Sequence, residues 1–432
     1  MKPDRRKPSS GGGIWVREDR VATLVELAWL ASAEGQAVCR DMDQDRPADT
    51  PAHIARWRER LEPDRVAAAW GQVLLRRVGR VKFSRADEML FDRVSLEQAT
   101  DEVVANYKAN RFAGVQTVAD LCCGIGGDSI ALAAAAVAAV VAVDWSEART
   151  FMAAHNASVY GRTIITRTDD AAFCRPEADA VHIDPDRRPA GARRHEPEAG
   201  SPGIDVIRRI IKDYTHAAIK LSPGADFDAL GFDAEIELIS HDGQCKQAVA
   251  WTGRLQQAHR RATALPAGES IGASAGDLLT WPSPRPVEPG LWLFEPDPAV
   301  IRANLVGPLA HRFSLAPVDP LIAYLVGDSP VPSGLVTPFR VLEVVDFSAG
   351  AVRQLLARHD VGSVEIKTRG FAPRPEEIRR LLHAKGRRPA TLILTRIAGR
   401  ARAILAERPG SGFPETPQVP GRPACNRRPK RV

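Results

Sequence analysis

Residues 118–128 read V-A-D-L-C-C-G-I-G-G-D. An apolar run closes on Asp120, a glycine-rich turn follows at Gly124, Gly126 and Gly127, and an alanine-rich stretch opens at Asp128. This is the pattern of a strand, a tight loop and a helix start, in which glycine lets the backbone approach a ligand where a Cβ would collide. A second apolar run, 138–143, ends in Asp144, about twenty residues after the first glycine. An acid at that place in a βαβ unit accepts from ribose hydroxyls. The loop therefore predicts a nucleoside-containing cofactor.

Two cofactors compete for this pattern. A dinucleotide fingerprint wants a third Gly or Ala where Ser129 stands, and it does not ask for an acid before the first glycine. Asp120, four residues ahead of Gly124-x-Gly126, suits S-adenosylmethionine, whose amino-acid end carries an ammonium and which has no pyrophosphate to cradle. The candidate cofactor residues are Asp120, Cys122, Cys123, Gly124, Gly126, Gly127, Asp144, Trp145, Asp170 and Asp184. Asp170, in the D-A step after the third strand, is placed to accept from an adenine amine. Its competing reading is a helix cap.

From Val115 to about Leu221, strands and helices alternate as in a doubly wound parallel sheet. The expected strands are 117–121, 140–144, 163–167, 180–184 and 216–221. A hairpin turning at Asp242-Gly243 is expected to close the sheet edge. Before the sheet, one helix over 95–110 is predicted from the Ser95/Gln98 capping-box spacing, with Leu96, Ala99, Val103 and Tyr107 inward. After it, strand 364–368, helix 375–383 and strands 391–397 and 401–406 suit a small α+β module.

The fourth strand ends in Asp184-Pro185-Asp186-Arg187. Ligands of open α/β sheets sit outside the carboxyl ends of strands. Amino-methylating enzymes carry Asp/Asn-Pro-Pro-aromatic at this place, where the side chain and a proline-fixed carbonyl accept from an exocyclic amine. Asp184, Pro185 and Arg187 are therefore the candidate catalytic residues. Arg187 and Arg188, standing where the aromatic is missing, are candidates to stack on a base or grip phosphate. His182, mid-strand, reads as packing.

The chain's 432 residues allow two or three domains. The net charge of +6 belongs to the tails: residues 1–20 carry +3 and 408–432 carry +5, leaving the body at −2. Basic tails bind nucleic acid non-specifically or are simply solvated ends. No run is long and apolar enough for a membrane span, and no secretory signal is evident. Six cysteines without a C-x-x-C pair read as reduced thiols in a cytoplasmic protein, not as metal ligands.

The loop, the following A-V-D and the stretch H-N-A-S-V-Y-G at 155–161 resemble the methyltransferase domain of trimethylguanosine synthases, which methylate N2 of a cap guanosine. That family carries a proline-proline-tryptophan turn where this chain has Asp184-Pro185-Asp186-Arg187. A closer resemblance is to a bacterial family of class I methyltransferases with a THUMP-like C-terminal domain. It covers about 82–407 and rests on L-E-Q-A-T at 96–100, the glycine loop, Asp184-Pro185-x-Arg187-Arg188, E-P-D-x-A-V-I-R-A at 295–303 and K-T-R-G-F at 367–371. The resemblance implies an α/β Rossmann-like methyltransferase sheet over 95–290, and ahead of it residues 14–94 read as a helical segment. It further implies a ferredoxin-like segment over 291–355 and a THUMP-like domain over 356–407. Tails 1–13 and 408–432 are expected to be disordered. By the same analogy the substrate is RNA, methylated on an exocyclic amine of guanine or adenine. A protein or small-molecule acceptor, or a catalytically silent RNA-binding protein, are the alternatives.

Overall fold

The structure, a computed structural model, describes residues 22–45, 50–135, 137–185, 202–371, 375–382 and 384–409. The chain divides at Thr280/Trp281 into two compact units, with Asp297–Leu309 returning to the first.

The first unit holds a nine-stranded sheet. Its strands are β1 (Thr117–Leu121), β2 (Ala139–Asp144), β3 (Ile165–Thr168), β4 (Ala180–Ile183), β5 (His216–Leu221), β6 (Glu235–His241), β7 (Gln244–Trp251), β8 (Arg260–Leu265) and β9 (Glu269–Ala273). They lie in the order β3-β2-β1-β4-β5-β7-β6-β8-β9. The first five are parallel, and β7 runs antiparallel to both β5 and β6. The hairpin does not close the edge as expected, because β8 pairs with β6 and β9 with β8. β1, β4 and β5 are buried almost throughout, as parallel strands covered on both faces must be. Strand order reverses between β1 and β4, which opens a crevice at their carboxyl ends.

Before the sheet stand α1 (Leu24–Ala31), α2 (Ala33–Gln44), α3 (Pro51–Arg58), α4 (Pro63–Gly79), α5 (Arg93–Gln98) and α6 (Glu102–Ala109). The helix expected over 95–110 is two helices. Asp92 and Asp101, not Ser95, are the caps, accepting from the N–H of Ser95 at 2.8 Å and of Val104 at 2.9 Å. The break changes the buried face: Val104 is fully buried, whereas Val103 is 39% exposed.

Within the sheet, α7 (Gly127–Ala134) follows β1, α8 (Glu147–Val159) follows β2, and α9 (Ile204–Ile210) precedes β5. The early helices share one core with α7 and α8: Leu27, Met42, Trp57 and Trp70 belong to the same buried cluster as Ile125, Ile130 and Met152. Asn156, fully buried on α8, adds a polar staple. Its Oδ1 accepts from Leu90 N–H at 2.7 Å, and its Nδ2 donates to the carbonyls of Leu90 and Ile125, each at 3.0 Å. The helical segment is thereby tied to the glycine loop, each buried Leu or Met contributing about 1.5–3 kcal/mol. The returning segment adds α10 (Pro298–Arg302), capped by Asp297 and packed on β6 and β8, before α11 (Val306–Arg312).

The second unit holds a seven-stranded sheet of β10 (Trp292–Pro296), β11 (Ala316–Asp319), β12 (Ile322–Gly327), β13 (Val336–Asp346), β14 (Val361–Arg369), β15 (Arg388–Ile397) and β16 (Arg400–Glu407). The order is β11-β12-β10-β13-β16-β15-β14, and only the β14/β15 pair is parallel. Two helices, α12 (Ala349–Arg358) and α13 (Pro375–Leu382), bury Val352, Leu355, Ile378 and Leu382 on it. The expected boundary at 355/356 falls inside α12, and β13 pairs with β16 across it. Glu295 of β10 meets Lys367 at 2.6 Å and Arg369 at 3.3 Å, so two of the stretches singled out in the sequence converge.

Candidate active site at the carboxyl ends of β1 to β4

The chain leaves β1 through Cys122, whose φ of 63° is left-handed, and turns through Gly124 and Gly126 at φ 56° and 84°. Non-glycine residues reach this region rarely and at a cost of about 1–3 kcal/mol. The glycines serve different ends. A Cβ on Gly126 would lie 3.1 Å from Ala153 Cα, and one on Gly127 would lie 3.3 Å from the Thr100 carbonyl oxygen. Both therefore permit close packing of the protein on itself. Only at Gly124 would a Cβ point into open space.

Asp120 is 1% exposed. One carboxylate oxygen takes a short hydrogen bond from Ser129 Oγ, and the other lies 2.7 Å from His182 Nδ1. Lys108 Nζ lies 3.4 Å from His182 Nε2 and 2.6 Å from Asp128 Oδ1, and Thr100 Oγ1 donates to Asp128 Oδ2 at 2.7 Å. An ammonium only donates, so Nε2 accepts and Nδ1 carries the proton that Asp120 receives. Burial would raise the Asp128 carboxyl, but the Lys108 ammonium against it, with Lys220 beyond, outweighs burial and holds that group far below the usual range. His182, expected to be a packing residue, is a buried polar link between Asp120 and Lys108. Asp120, with both oxygens engaged, anchors the end of β1 to the start of α7.

Asp144 ends β2 and is 3% exposed. It accepts from Gly124 N–H and Ser146 N–H, each at 3.0 Å, and burial pushes its carboxyl up. Trp145 beside it is 72% exposed, with the Arg149 guanidinium 5.7 Å from its ring. Asp170, exposed after β3, accepts from Ala172 N–H at 2.8 Å in an Asx turn.

Asp184 follows β4. Its Oδ2 lies 2.6 Å from Lys220 Nζ, its side chain is 23% exposed, and Pro185 is buried. Lys220, on β5 and 4% exposed at its side chain, also donates to the Gln98 carbonyl at 3.1 Å. Arg187 and Arg188 lie outside the described residues.

The sequence reading missed Lys108, Asp128, Ser129 and Lys220. The signal for Lys220 was present: a lysine inside the apolar run H-A-A-I-K-L is unusual and calls for a partner. Lys108 and Asp128 gave no such signal, because exposed helix positions carry charge routinely.

The four strand-end acids converge. Burial pushes the Cys122 thiol well up, and the charges of Asp144, Asp184, Asp120 and Asp170 add to that push. Carboxylates gathered around this loop disfavour a pyrophosphate. They suit a ligand bearing a sulfonium, an ammonium and ribose hydroxyls. The residues present therefore fit S-adenosylmethionine.

The comparisons with known proteins agree. A profile described as RNA cap guanine-N2 methyltransferase matches residues 115–169. One described as THUMP domain-like matches 336–408, and a domain of unknown function matches 23–78. Two curated proteins from two strains of Mycobacterium tuberculosis, each named as an uncharacterized S-adenosylmethionine-dependent methyltransferase, are 37% identical over 324 residues, covering 72% of this chain and 85% of theirs. The chain belongs to the S-adenosylmethionine-dependent methyltransferases. The methyltransferase also shares its fold with a crystal structure from Porphyromonas gingivalis W83, designated a methyltransferase. That match has a TM-score of 0.72 at 20% identity and covers 87% of this chain and 98% of the other. Among the described residues, no helix of the methyltransferase is long and apolar enough to cross a membrane.

Proposed function

We propose that the methyltransferase modifies an exocyclic amine of guanine or adenine in RNA, a tRNA or an rRNA. The observation that carries this reading is the Asp184-Pro185 step. It stands at the carboxyl end of β4, beside the acidic crevice, with its carboxylate partly exposed and tied to Lys220. RNA as the acceptor is supported by the THUMP-like profile over 336–408 and by the RNA-guanine profile over the cofactor loop.

S-adenosylmethionine supplies the methyl group, carried on its sulfonium. Asp144 takes the ribose hydroxyls, Asp170 with the Ala171 N–H takes the adenine edge, and Trp145 offers a ring to its face. Cys122, Cys123 and the glycines shape the loop, while Asp120 holds it in place. On the acceptor side, the Asp184 carboxylate and the Pro185 carbonyl accept N–H bonds from the amine and aim its lone pair. Arg187 and Arg188 hold the nucleotide. When bound, the cofactor would supply the methyl from its sulfonium to the amine held by Asp184 and Pro185, whose surplus proton would then pass to solvent. Positioning of this kind supplies most of what such a displacement needs.

The test is tritiated methyl transfer to RNA from a strain lacking the gene. Wild-type protein is expected to label the RNA, and Asp184→Ala to label it about 10²-fold more slowly. Label on protein alone, or full activity in Asp184→Ala, overturns the reading.

A further inference from the structure

The L-E-Q-A-T stretch at 96–100 contributes no side chain to the cofactor set, yet it sits between the two halves of the site. It forms the end of α5 and the turn into α6. Its carbonyls are gripped by two lysines. Lys82 Nζ donates to Leu96, Glu97 and Ala99 at 2.7, 2.9 and 2.9 Å, and Lys220 donates to Gln98 at 3.1 Å. Lysine at a helix C-terminus satisfies carbonyls that the helix leaves open. The turn continues into Thr100, whose hydroxyl binds Asp128 at the start of α7. Lys220 continues in the other direction, to Asp184 at 2.6 Å. A single chain of contacts thus runs Asp128–Thr100–Gln98–Lys220–Asp184, from the cofactor loop to the acceptor carboxylate.

We infer that Lys220, braced by the 96–100 turn, is a positioning residue that sets the Asp184 carboxylate against the methyl donor. The inference rests on the reading of Asp184 given above. Lys220 is too buried to meet a substrate, and its ammonium spans two fixed acceptors on different elements. Losing it frees Asp184 to rotate and removes the Lys220 bond to the Gln98 carbonyl, while the acids at the ends of β2 and β3 keep their partners.

The experiment uses the full chain and compares Lys220→Met, Lys220→Arg, Asp184→Ala and the Lys220→Met/Asp184→Ala double variant. Methyl transfer is measured from tritiated S-adenosylmethionine to RNA of the gene-deleted strain. S-adenosylhomocysteine affinity is measured by calorimetry. Lys220→Met is expected to lower kcat about 10²-fold, with KM for S-adenosylmethionine and affinity for S-adenosylhomocysteine within about twofold. Lys220→Arg is expected to recover part of kcat. In the Asp184→Ala background, Lys220→Met is expected to cost nothing further, because residues acting as a unit are not additive. Should Lys220→Met fail to fold, the same cycle with Lys220→Arg carries the test. Wild-type kcat in both lysine variants while Asp184→Ala is impaired overturns the inference, as does a lysine loss that adds to that of Asp184→Ala. Full activity in Asp184→Ala instead overturns the reading of Asp184, and the role of Lys220 with it.

Discussion

Helix α6 serves two buried charged networks through neighbouring residues. Lys108 faces the glycine loop and meets Asp128 and His182, through which it reaches Asp120. Tyr107 faces the other way. Its hydroxyl donates to Glu237 at 2.6 Å, where Trp251 Nε1 and Thr263 Oγ1 also donate, at 2.9 and 2.6 Å. Arg111, just beyond the helix, binds Glu235 at 2.8 Å and Glu237 at 3.2 Å, and Arg261 binds Glu235 from β8 at 2.8 Å. Both glutamates are fully buried. Each network satisfies its charges internally, as buried ions must. They differ in what they hold. The Glu235–Glu237 network pins β6, β7 and β8 together, away from the crevice. The Asp120–Asp128 network fixes the glycine loop between β1 and α7.

Removing one cation from each network tests that difference. Lys108→Met and Arg111→Met should each lose about 3–5 kcal/mol in urea unfolding, because each leaves a buried carboxylate uncompensated. Only Lys108→Met should also weaken S-adenosylhomocysteine binding in the folded protein, by about tenfold or more. Equal affinities in the two variants would erase the distinction. A smaller effect separates the loop from the hairpin. Gly126→Ala combines φ 84° with a Cβ 3.1 Å from Ala153 and should cost about 2–3 kcal/mol. Gly243→Ala, at φ 69° in open space, should cost only about 1 kcal/mol. Thermal unfolding of the pair reads the gap.

A pH-dependent effect concerns Lys82. Burial first, then the charges of Lys220 and Lys246, push its ammonium down to about 8, while Asp101 and Glu97 oppose them. In the unfolded chain it holds its proton to about 10.5. Between these values the unfolded state binds more protons, so stability from this group rises with pH across that window. Denaturation from pH 7.5 to 10 should show that rise, and Lys82→Met should flatten it.

Much of the fold was legible because its signals are local. β1 and β5 fall where apolar runs placed them, and the hairpin turns at Asp242 and Gly243, both at positive φ. The division of 95–110 was less legible. Ser95 and Gln98 mimic a capping box, but Asp92 and Asp101 compete as better-placed acceptors, and burial of Val104 rather than Val103 settles the register. The single sheet across 355/356 could not be read from the chain, since β13 and β16 are joined by pairing between distant segments. In the site, the acids at the strand ends were visible as types and spacings, whereas their partners were not.

By itself, the sequence determined that a strand carrying Asp120 runs into a glycine-rich turn, and that acids stand at or just after the ends of the next three strands. Those are consequences of periodicity and of backbone conformations that glycine permits. The tertiary structure alone decided what each acid meets. Asp120 is bound by Ser129 and His182, whereas Asp184 keeps an exposed edge and is held by Lys220 from the neighbouring strand. The physical reason is that burial makes every charge seek a partner, and partners far apart in sequence meet only when the sheet closes.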